Sequence, residues 1–449
     1  MNETIVRSIL KAGVVGAGGG GFPTHVKAST EADVVLANGA ECEPLLRADG
    51  ELMAATPEKV LRGLQLMTES VGATRTVLAV RRENTRALEA LSALGTEASG
   101  VEFLILENVY PAGDEFLLVF EATGRVVPEG GIPPDVGVMV SNVTTLADVA
   151  DAFEGKPVTT RMVSVQGDVP RAATWRVPIG TAIENVLTLS GGIPAGDAVL
   201  IGGPMMGHLA GDLGEPITKT TSGLIVLPPE HPLVSARTAS QAHVLKIARA
   251  ACCQCMACTD LCPRALLGHA LAPHRTVRAV QYSLEARETE HITSAYLCCE
   301  CGMCELFACP LGIQPRRILA DLKAELVRRG VPNPHHRAEL TADDVREYRQ
   351  IPSSRLVQRL GLTAYDREAP LARDRVEPLL VRIALKQHVG APAVPIVQEG
   401  DHVVEGDLLA EIPDGQLGAR VHASITGLVE SVSEVEITVT AAKTARRTM

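Results

Sequence analysis

Ten of the eleven cysteines in this 449-residue chain fall in two short runs. The first reads Cys252-x2-Cys255-x2-Cys258-x3-Cys262-Pro263 and the second Cys298-x2-Cys301-x2-Cys304-x4-Cys309-Pro310. Three thiolates set two residues apart wrap a tight loop around three corners of an iron–sulfur cube. The fourth, followed by proline, opens a helix and reaches the other cube in a two-cluster ferredoxin. The spacing therefore predicts two [4Fe–4S] clusters, one on Cys252, Cys255, Cys258 and Cys309, the other on Cys298, Cys301, Cys304 and Cys262. A pair of zinc sites is the competing reading. Zinc favours closed sets of four ligands, commonly from two separated Cys-x2-Cys pairs, and triple runs ending in Cys-Pro fit that poorly. The second run carries one extra residue before its last cysteine, enough to bend the loop without removing a ligand. Cys253 and Cys299 sit beside ligands and read as small supporting residues, and the distant Cys42 as a buried or partly buried free thiol.

A second candidate is the glycine run Gly16-Ala-Gly-Gly-Gly-Gly-Phe-Pro-Thr-His-Val-Lys27. Glycine lets backbone N–H groups approach a phosphate, and a following helix end adds partial positive charge. The run matches neither the P-loop nor the dinucleotide fingerprint, and no clear strand precedes it. On spacing alone it serves equally as a phosphate cradle or a flexible loop. The apolar stretch Ala12–Phe22 carries six glycines and no cleavage-like site, so it reads as a loop rather than a signal peptide.

Composition bounds the rest. A net charge of −11 argues against a nucleic-acid-binding face, and 46% hydrophobic residues exclude a disordered chain. No uninterrupted apolar stretch is long enough to predict a spanning helix. Clustered cysteines in such a chain suggest a reducing, cytosolic setting.

The glycine string, extended back to Gly13, resembles the FMN loop of the flavoprotein subunit of respiratory complex I. Three further strings follow in that family's order. Asn38-Gly-Ala-Glu41-Cys-Glu43-Pro44 resembles its acidic stretch against flavin and NADH. Tyr110-Pro-Ala-Gly113-Asp114-Glu115 resembles its Tyr-x-x-Gly-Glu-Glu loop, and Ser141-Asn142-Val-Thr-Thr145 its Asn-Asn-Val-Glu-Thr motif. The sequence departs from the family at Ala17, Ala40, Asp114 and Ser141, where the family carries Arg, Asp, Glu and Asn. By residue types alone, Glu41 and Glu43 would be solvated loop carboxylates, and Asn38 and Asn142 turn residues. The resemblance implies instead an FMN site on Gly16, Gly18, Gly19, Gly20, Lys27, Asn38, Gly113, Asn142 and Thr145. It implies an NADH site shaped by Phe22, Glu41, Glu43, Asp114 and Glu115, with no residue acting as nucleophile or general base.

The elements that must position these groups divide into a multidomain α/β and α+β chain. Residues 1–155 alternate helix and strand, with a helix at Pro57–Val71 and strands at Thr76–Val80 and Val101–Leu106. Residues 156–235 carry short β runs at Met162–Gln166, Ala198–Ile201 and Leu224–Leu227 and a helix at Thr181–Ser190, resembling the soluble-ligand-binding β-grasp domain of the same family. Residues 236–328 form the ferredoxin unit, with helices expected at His274–Leu297 and Pro315–Arg329; Ile318, Leu319, Leu322, Leu326 and Val327 share a stripe of the latter. Residues 329–376 read as an irregular Arg/Pro-rich linker. Residues 377–449 resemble a barrel-sandwich hybrid of the biotinyl/lipoyl type, with Ala423-Ser-Ile-Thr-Gly427 where a carrier lysine would stand. A packing or docking role follows, and the basic tail Lys443–Arg447 reads as a solvated end.

Flavin, β-grasp and dicluster units together also describe the Rnf-complex C subunit, where the barrel-sandwich unit comes first. Here it comes last, an order that resembles the cobalamin reductases of bacterial propanediol-utilisation microcompartments. The resemblance implies a relay from NADH through FMN and two clusters to cob(III)/cob(II)alamin, in service of a coenzyme B12-dependent diol dehydratase. It implies cobalamin as substrate, a corrinoid adenosyltransferase and shell proteins as partners, and a cytoplasmic, microcompartment setting. The competing readings are an electron-transfer subunit of an Rnf-like or hydrogenase-type complex, and a scaffold with structural clusters.

Overall fold

The computed structural model describes residues 2–282 and 289–442. The first third of the chain builds a four-stranded parallel sheet. Its elements run α1 (Glu3–Ala12), α2 (Thr24–Lys27), β1 (Val34–Gly39), α3 (Ala48–Ala55), α4 (Pro57–Val71) and β2 (Arg75–Arg81). They continue through α5 (Thr85–Ala93), β3 (Val101–Leu106), the two-residue β4 (Val109–Tyr110), α6 (Glu115–Thr123), β5 (Val138–Asn142) and α7 (Val143–Phe153). Successive strand residues face opposite sides. Val35, Ala37, Leu78, Val80 and Met139 pack with α1, α4 and α7. Val34, Leu36, Val77, Ala79 and Val140 pack under Leu118 and Val119 of α6. Burial on both faces explains why these strands read as continuous apolar runs.

Strand order is β3-β2-β1-β5. The chain steps outward from β1 to β3, then returns to lay β5 on the other side of β1. Open α/β sheets take ligands beyond the carboxyl ends of their strands at such a reversal. Asn38 and Asn142, at the carboxyl ends of β1 and β5, are register partners there.

A second, five-stranded sheet follows, built around Thr160–Gly167 and Gly223–Leu227 as a parallel central pair. The helix Ile183–Leu189 and the buried Trp175 belong to its core, with Trp175 Nε1 donating to Ser190 Oγ at 3.0 Å. The cysteine region is helical, from Gln241–Ala251 to Pro315–Arg328. The single helix expected at 274–297 is broken. Pro273–Gln281 is followed by the separate short turns Glu290–Thr293 and Ser294–Leu297, and residues 283–288 of that expectation lie outside the described residues. On the last helix Ile318, Leu319, Leu322 and Leu326 are buried, but Val327 is 63% exposed. Its position, one residue past Leu326, rotates it off the core stripe.

The Arg/Pro-rich segment after it is a strap rather than a loose linker. Ile351–Pro352 pairs with β4, the helix Ser353–Arg359 follows, and Arg337 and Arg346 form ion pairs with Glu129 and Glu121 of the parallel-sheet domain. Two small antiparallel sheets of four and three strands, enclosing Val381, Ile383, Leu409, Val429 and Val439, form the C-terminal unit. The Lys443–Arg447 tail lies outside the described residues. Among the described residues no helix is long and apolar enough to cross a membrane.

Candidate functional site

The glycine loop leaves α1 through Gly13, which caps that helix in the left-handed conformation at φ 66°. It closes on itself through Gly16 N–H to the Phe22 carbonyl (2.9 Å) and Gly21 N–H to the Gly16 carbonyl (3.0 Å). Ala17 N–H donates to Thr145 Oγ1 at 2.9 Å, tying the loop to the first turn of α7. Between these ties the amides of Gly18, Gly19 and Gly20 find no acceptor among the described residues. A Cβ on Gly19 or Gly20 would meet nothing within 4 Å, whereas one on Gly18 would make ordinary contact with Asn142. The loop is thus an open row of free donors beside the N-terminus of α7, at the sheet's reversal point. Those features suit the phosphate of a nucleotide-like cofactor.

The other residues singled out by sequence converge on this spot. Asn38 Nδ2 donates to the Gly113 carbonyl at 2.9 Å, and Asn142 caps α7 and donates to Asp49 at 2.6 Å. Lys27 Nζ reaches the Val140 carbonyl at 3.1 Å and Glu115 at 3.5 Å. Cys42 is a half-buried residue whose thiol accepts from Gly113 N–H at 3.2 Å, and desolvation pushes its pKa up to about 12.

The acidic residues hold backbone. Glu41 accepts from Asp49 N–H (2.8 Å) and Gly50 N–H (3.0 Å) at the start of α3. Glu43 accepts from Met205 N–H (2.9 Å) and Met206 N–H (2.8 Å), latching the parallel-sheet domain to the second sheet. Burial raises each to about 7, with the Asp49 charge adding to the effect on Glu41. Asp114 caps α6 through the amides of Phe116 and Leu117 and pairs with Arg264 at 3.0 Å. The latch of Glu43 to Met205 and Met206 and the pairing of Asp114 with Arg264 were invisible in sequence because those partners are distant along the chain.

The cysteines gather as the spacing predicts. One hollow is walled by Cys252, Cys255, Cys258 and Cys309, another by Cys262, Cys298, Cys301 and Cys304 with Cys299 beside them. Each fourth cysteine has crossed to the other run's hollow. Among the described residues no three His, Cys, Asp or Glu side chains close on a single metal ion. Both loops use the same backbone device. Gln254 and Met256 have φ of 57° and 69°, and their counterparts Glu300 and Gly302 have 58° and 78°. The extra residue before Cys309 is absorbed as a π-helical turn, Met303–Ala308, where the first run has an ordinary α turn, Ala257–Asp260. Insertion of one residue into a helical turn commonly takes this form at functional sites.

The second hollow abuts the parallel-sheet domain. Tyr110 OH donates to the Cys301 carbonyl at 2.6 Å, and Arg264, two residues after Cys262, reaches across to pair with Asp114 at 3.0 Å, with Phe116 stacked 3.5 Å beneath its guanidinium. Sequence reading missed Arg264; its place directly after Cys262-Pro263 was the available signal.

The C-terminal unit backs the glycine loop. Val389 N–H donates to the Gly21 carbonyl at 2.9 Å. Lys219, from the second sheet, is buried and bridges the carbonyls of Gly13 and Arg420 at 2.7 Å each. Burial, and then the nearby Arg161, lowers its pKa to about 7.

An open cofactor cradle joined to two four-cysteine hollows defines a flavin/iron–sulfur electron-transfer oxidoreductase. Comparison with known proteins agrees. Residues 9–151 match the Nuo51 FMN-binding domain, 251–314 a 4Fe-4S dicluster domain and 367–446 the RnfC barrel sandwich hybrid domain. The chain belongs to the cobalamin reductase PduS family. It is 44% identical to Cobalamin reductase PduS of Citrobacter freundii over 97% of this chain and 96% of that one. It is 38% identical to the C component of the Na(+)-translocating ferredoxin:NAD(+) oxidoreductase complex of Acetobacterium woodii, over 58% of each. A NAD+-reducing [NiFe]-hydrogenase shares the fold, with a TM-score of 0.50 at 21% identity, covering 76% of this chain and 68% of that one.

Proposed function

We propose that the chain is an NADH-dependent corrinoid reductase, passing electrons from NADH through FMN and two [4Fe–4S] clusters to cobalamin. The observation that carries this is the direct join between cradle and cysteines, through Tyr110 to Cys301 and Asp114 to Arg264. A flavin takes a two-electron hydride and releases single electrons, which suits one-electron acceptors such as clusters and cobalt. In this reading the free amides of Gly18, Gly19 and Gly20, with Gly16 shaping the turn, hold the FMN phosphate. Thr145 and Asn142 fix the loop and α7, and Lys27, Asn38 and Gly113 line the ring side. Phe22 and Glu115 face the nucleotide, while Glu41, Glu43 and Asp114 support that face by holding the backbone around it. Cys262, Cys298, Cys301 and Cys304 hold the cluster that receives electrons; Cys252, Cys255, Cys258 and Cys309 hold the one that releases them, at a surface where Cys255 is exposed.

The 156–235 and 377–449 units act as spacer and as backing for the cradle, and residues 329–376 strap the dicluster unit down. The name of the relatives that match nearly the whole chain supports cobalamin as acceptor; delivery to an adenosyltransferase inside a propanediol-utilisation microcompartment is part of the same proposal. The partial match to an Rnf-type component supports the second reading, in which the acceptor is another redox protein. The test is anaerobic: reduce the purified chain with NADH, add cob(III)alamin and follow the cobalt spectrum. Cobalt reduction at the rate of flavin turnover is expected. Flavin bleaching without cobalt reduction, even with an adenosyltransferase present, would leave the second reading; a chain that binds no flavin would sink both.

A further inference from the structure

The receiving cluster's site is buried, and burial opposes its reduction. Cys262, Cys301 and Cys304 are each under 10% exposed, so the added electron gains little from water. A four-thiolate cluster is already anionic, and reduction deepens that charge. Something in the protein must offset the penalty, because net charge, hydrogen bonds to sulfur and exposure together set a cluster's potential.

Two arginines flank this hollow, Arg264 buried and Arg316 half-buried. Arg264 is 7% exposed and lies two residues after Cys262. Its Nη2 pairs with Asp114, while Nη1 is buried and has no partner. Asp114 and, once ionised as cluster ligands are, the nearby cysteines Cys301 and Cys262 place negative charge close enough to act on its guanidinium, as does Cys299 when it is a thiolate. Arg316 lines the hollow itself, pairs with Glu305 at 3.5 Å and keeps a buried, unpartnered Nε. Each guanidinium thus retains a donor that nothing among the described residues accepts. The first hollow, whose walls include Met256, His274 and Leu311, is lined by no arginine or lysine among the described residues. A buried, orphaned donor atom on a permanently charged group is costly unless a negative acceptor stands beside it.

We propose that Arg264 and Arg316 raise the reduction potential of the cluster held by Cys262, Cys298, Cys301 and Cys304, bringing that buried site within reach of the flavin. The inference rests on the two-cluster reading above. Their fixed charge acts at short range through a medium of low dielectric, where it is strongest. Arg264 is anchored to the cradle side by Asp114 and Phe116, so it also holds the facing loops in register. Both residues tune and position; neither reacts.

The experiment is a redox titration of the full-length, flavin- and cluster-loaded chain, following the two one-electron couples by electron paramagnetic resonance alongside iron content. Arg264→Gln and Arg316→Gln should each lower one couple, cutting its reduced-to-oxidised ratio at fixed potential about tenfold, which is ~59 mV for one electron. The other couple, the one lost in Cys258→Ser, should not move. Asp114→Asn removes the counter-charge from Arg264 and should raise the same couple, so the sign of the shift separates charge from damage. If Arg264→Gln loses iron, Asp114→Asn and Arg316→Gln still decide. Fully loaded variants with both couples unmoved would overturn the inference alone. A wild-type chain with half the iron and one couple would overturn the two-cluster reading and this inference with it.

Discussion

The two cysteine loops share a spacing and a backbone, yet they live in different surroundings. Each turns twice through the left-handed region at equivalent positions, Gln254 and Met256 in one, Glu300 and Gly302 in the other. The first faces outward, with Cys253 and Cys255 exposed and Met256 44% exposed. The second is pressed between the parallel-sheet domain and the turn at Met205, whose carbonyl would stand 3.1 Å from a Cβ on Gly302. One motif, used twice, has become an inside site and an outside site through its neighbours alone.

Replacing one ligand in each loop gives the largest contrast. Cys301→Ser should remove the inner cluster and cut electron flow beyond the flavin by two orders of magnitude or more. Cys258→Ser should lower iron while leaving both NADH-driven flavin reduction and reduction of the inner cluster intact. Iron analysis and resonance spectra after NADH addition check both. If the two variants stall at the same step, the inner and outer assignment is wrong.

The matching left-handed positions come next. Gly302→Ala meets positive φ and the Met205 carbonyl together, and should destabilise the chain by about 1–3 kcal/mol. Met256→Gly relieves positive φ at an open position and should stabilise it by roughly 0.5–1 kcal/mol. Thermal unfolding of the loaded protein should show opposite signs.

Tyr110→Phe removes the hydroxyl donated to the Cys301 carbonyl in the inner loop, at a cost of about 1 kcal/mol. Rapid-mixing spectroscopy should show slower flavin-to-cluster transfer at an unchanged rate of flavin reduction. The smallest effect is that of pH on Glu43, which latches Met205 beside the inner loop. Its folded pKa is raised from 4.5 to about 7, so its contribution to stability is complete below pH 4.5 and is lost as pH rises through 7. Glu43→Gln should flatten that part of the profile of unfolding temperature against pH, followed from about 5 to 8.

Much of this was legible in the chain. Cysteine spacing is local, so the gathering of the cysteines around two hollows, with each fourth one crossing to the other run's, could be read from the runs themselves. The strands at Val101–Leu106 and Ala198–Ile201 announce themselves by short apolar runs and the helix at Pro57–Val71 by its helical apolar spacing. Other features depend on contacts between distant segments. A two-residue strand such as Ile351–Pro352 has no periodicity to detect, so the strap read as irregular linker. Glu41 and Glu43 offered two carboxylates near a flavin loop, but their partners at Asp49 and Met205 were not predictable from the string. The break in the helix expected at 274–297 follows no glycine or proline within its described part, only the need to bring Cys298 back to the hollow.

The backing of the glycine loop by Val389, Lys219 and Arg420 has a consequence for biosynthesis. The loop leaves the ribosome long before the wall behind it is made, since Lys219 follows far downstream and Val389 and Arg420 further still. A nascent chain therefore carries an unfinished cradle through most of its synthesis. Flavin loading becomes a report that translation has reached the barrel-sandwich unit, and a chain cut short before it should be discarded empty.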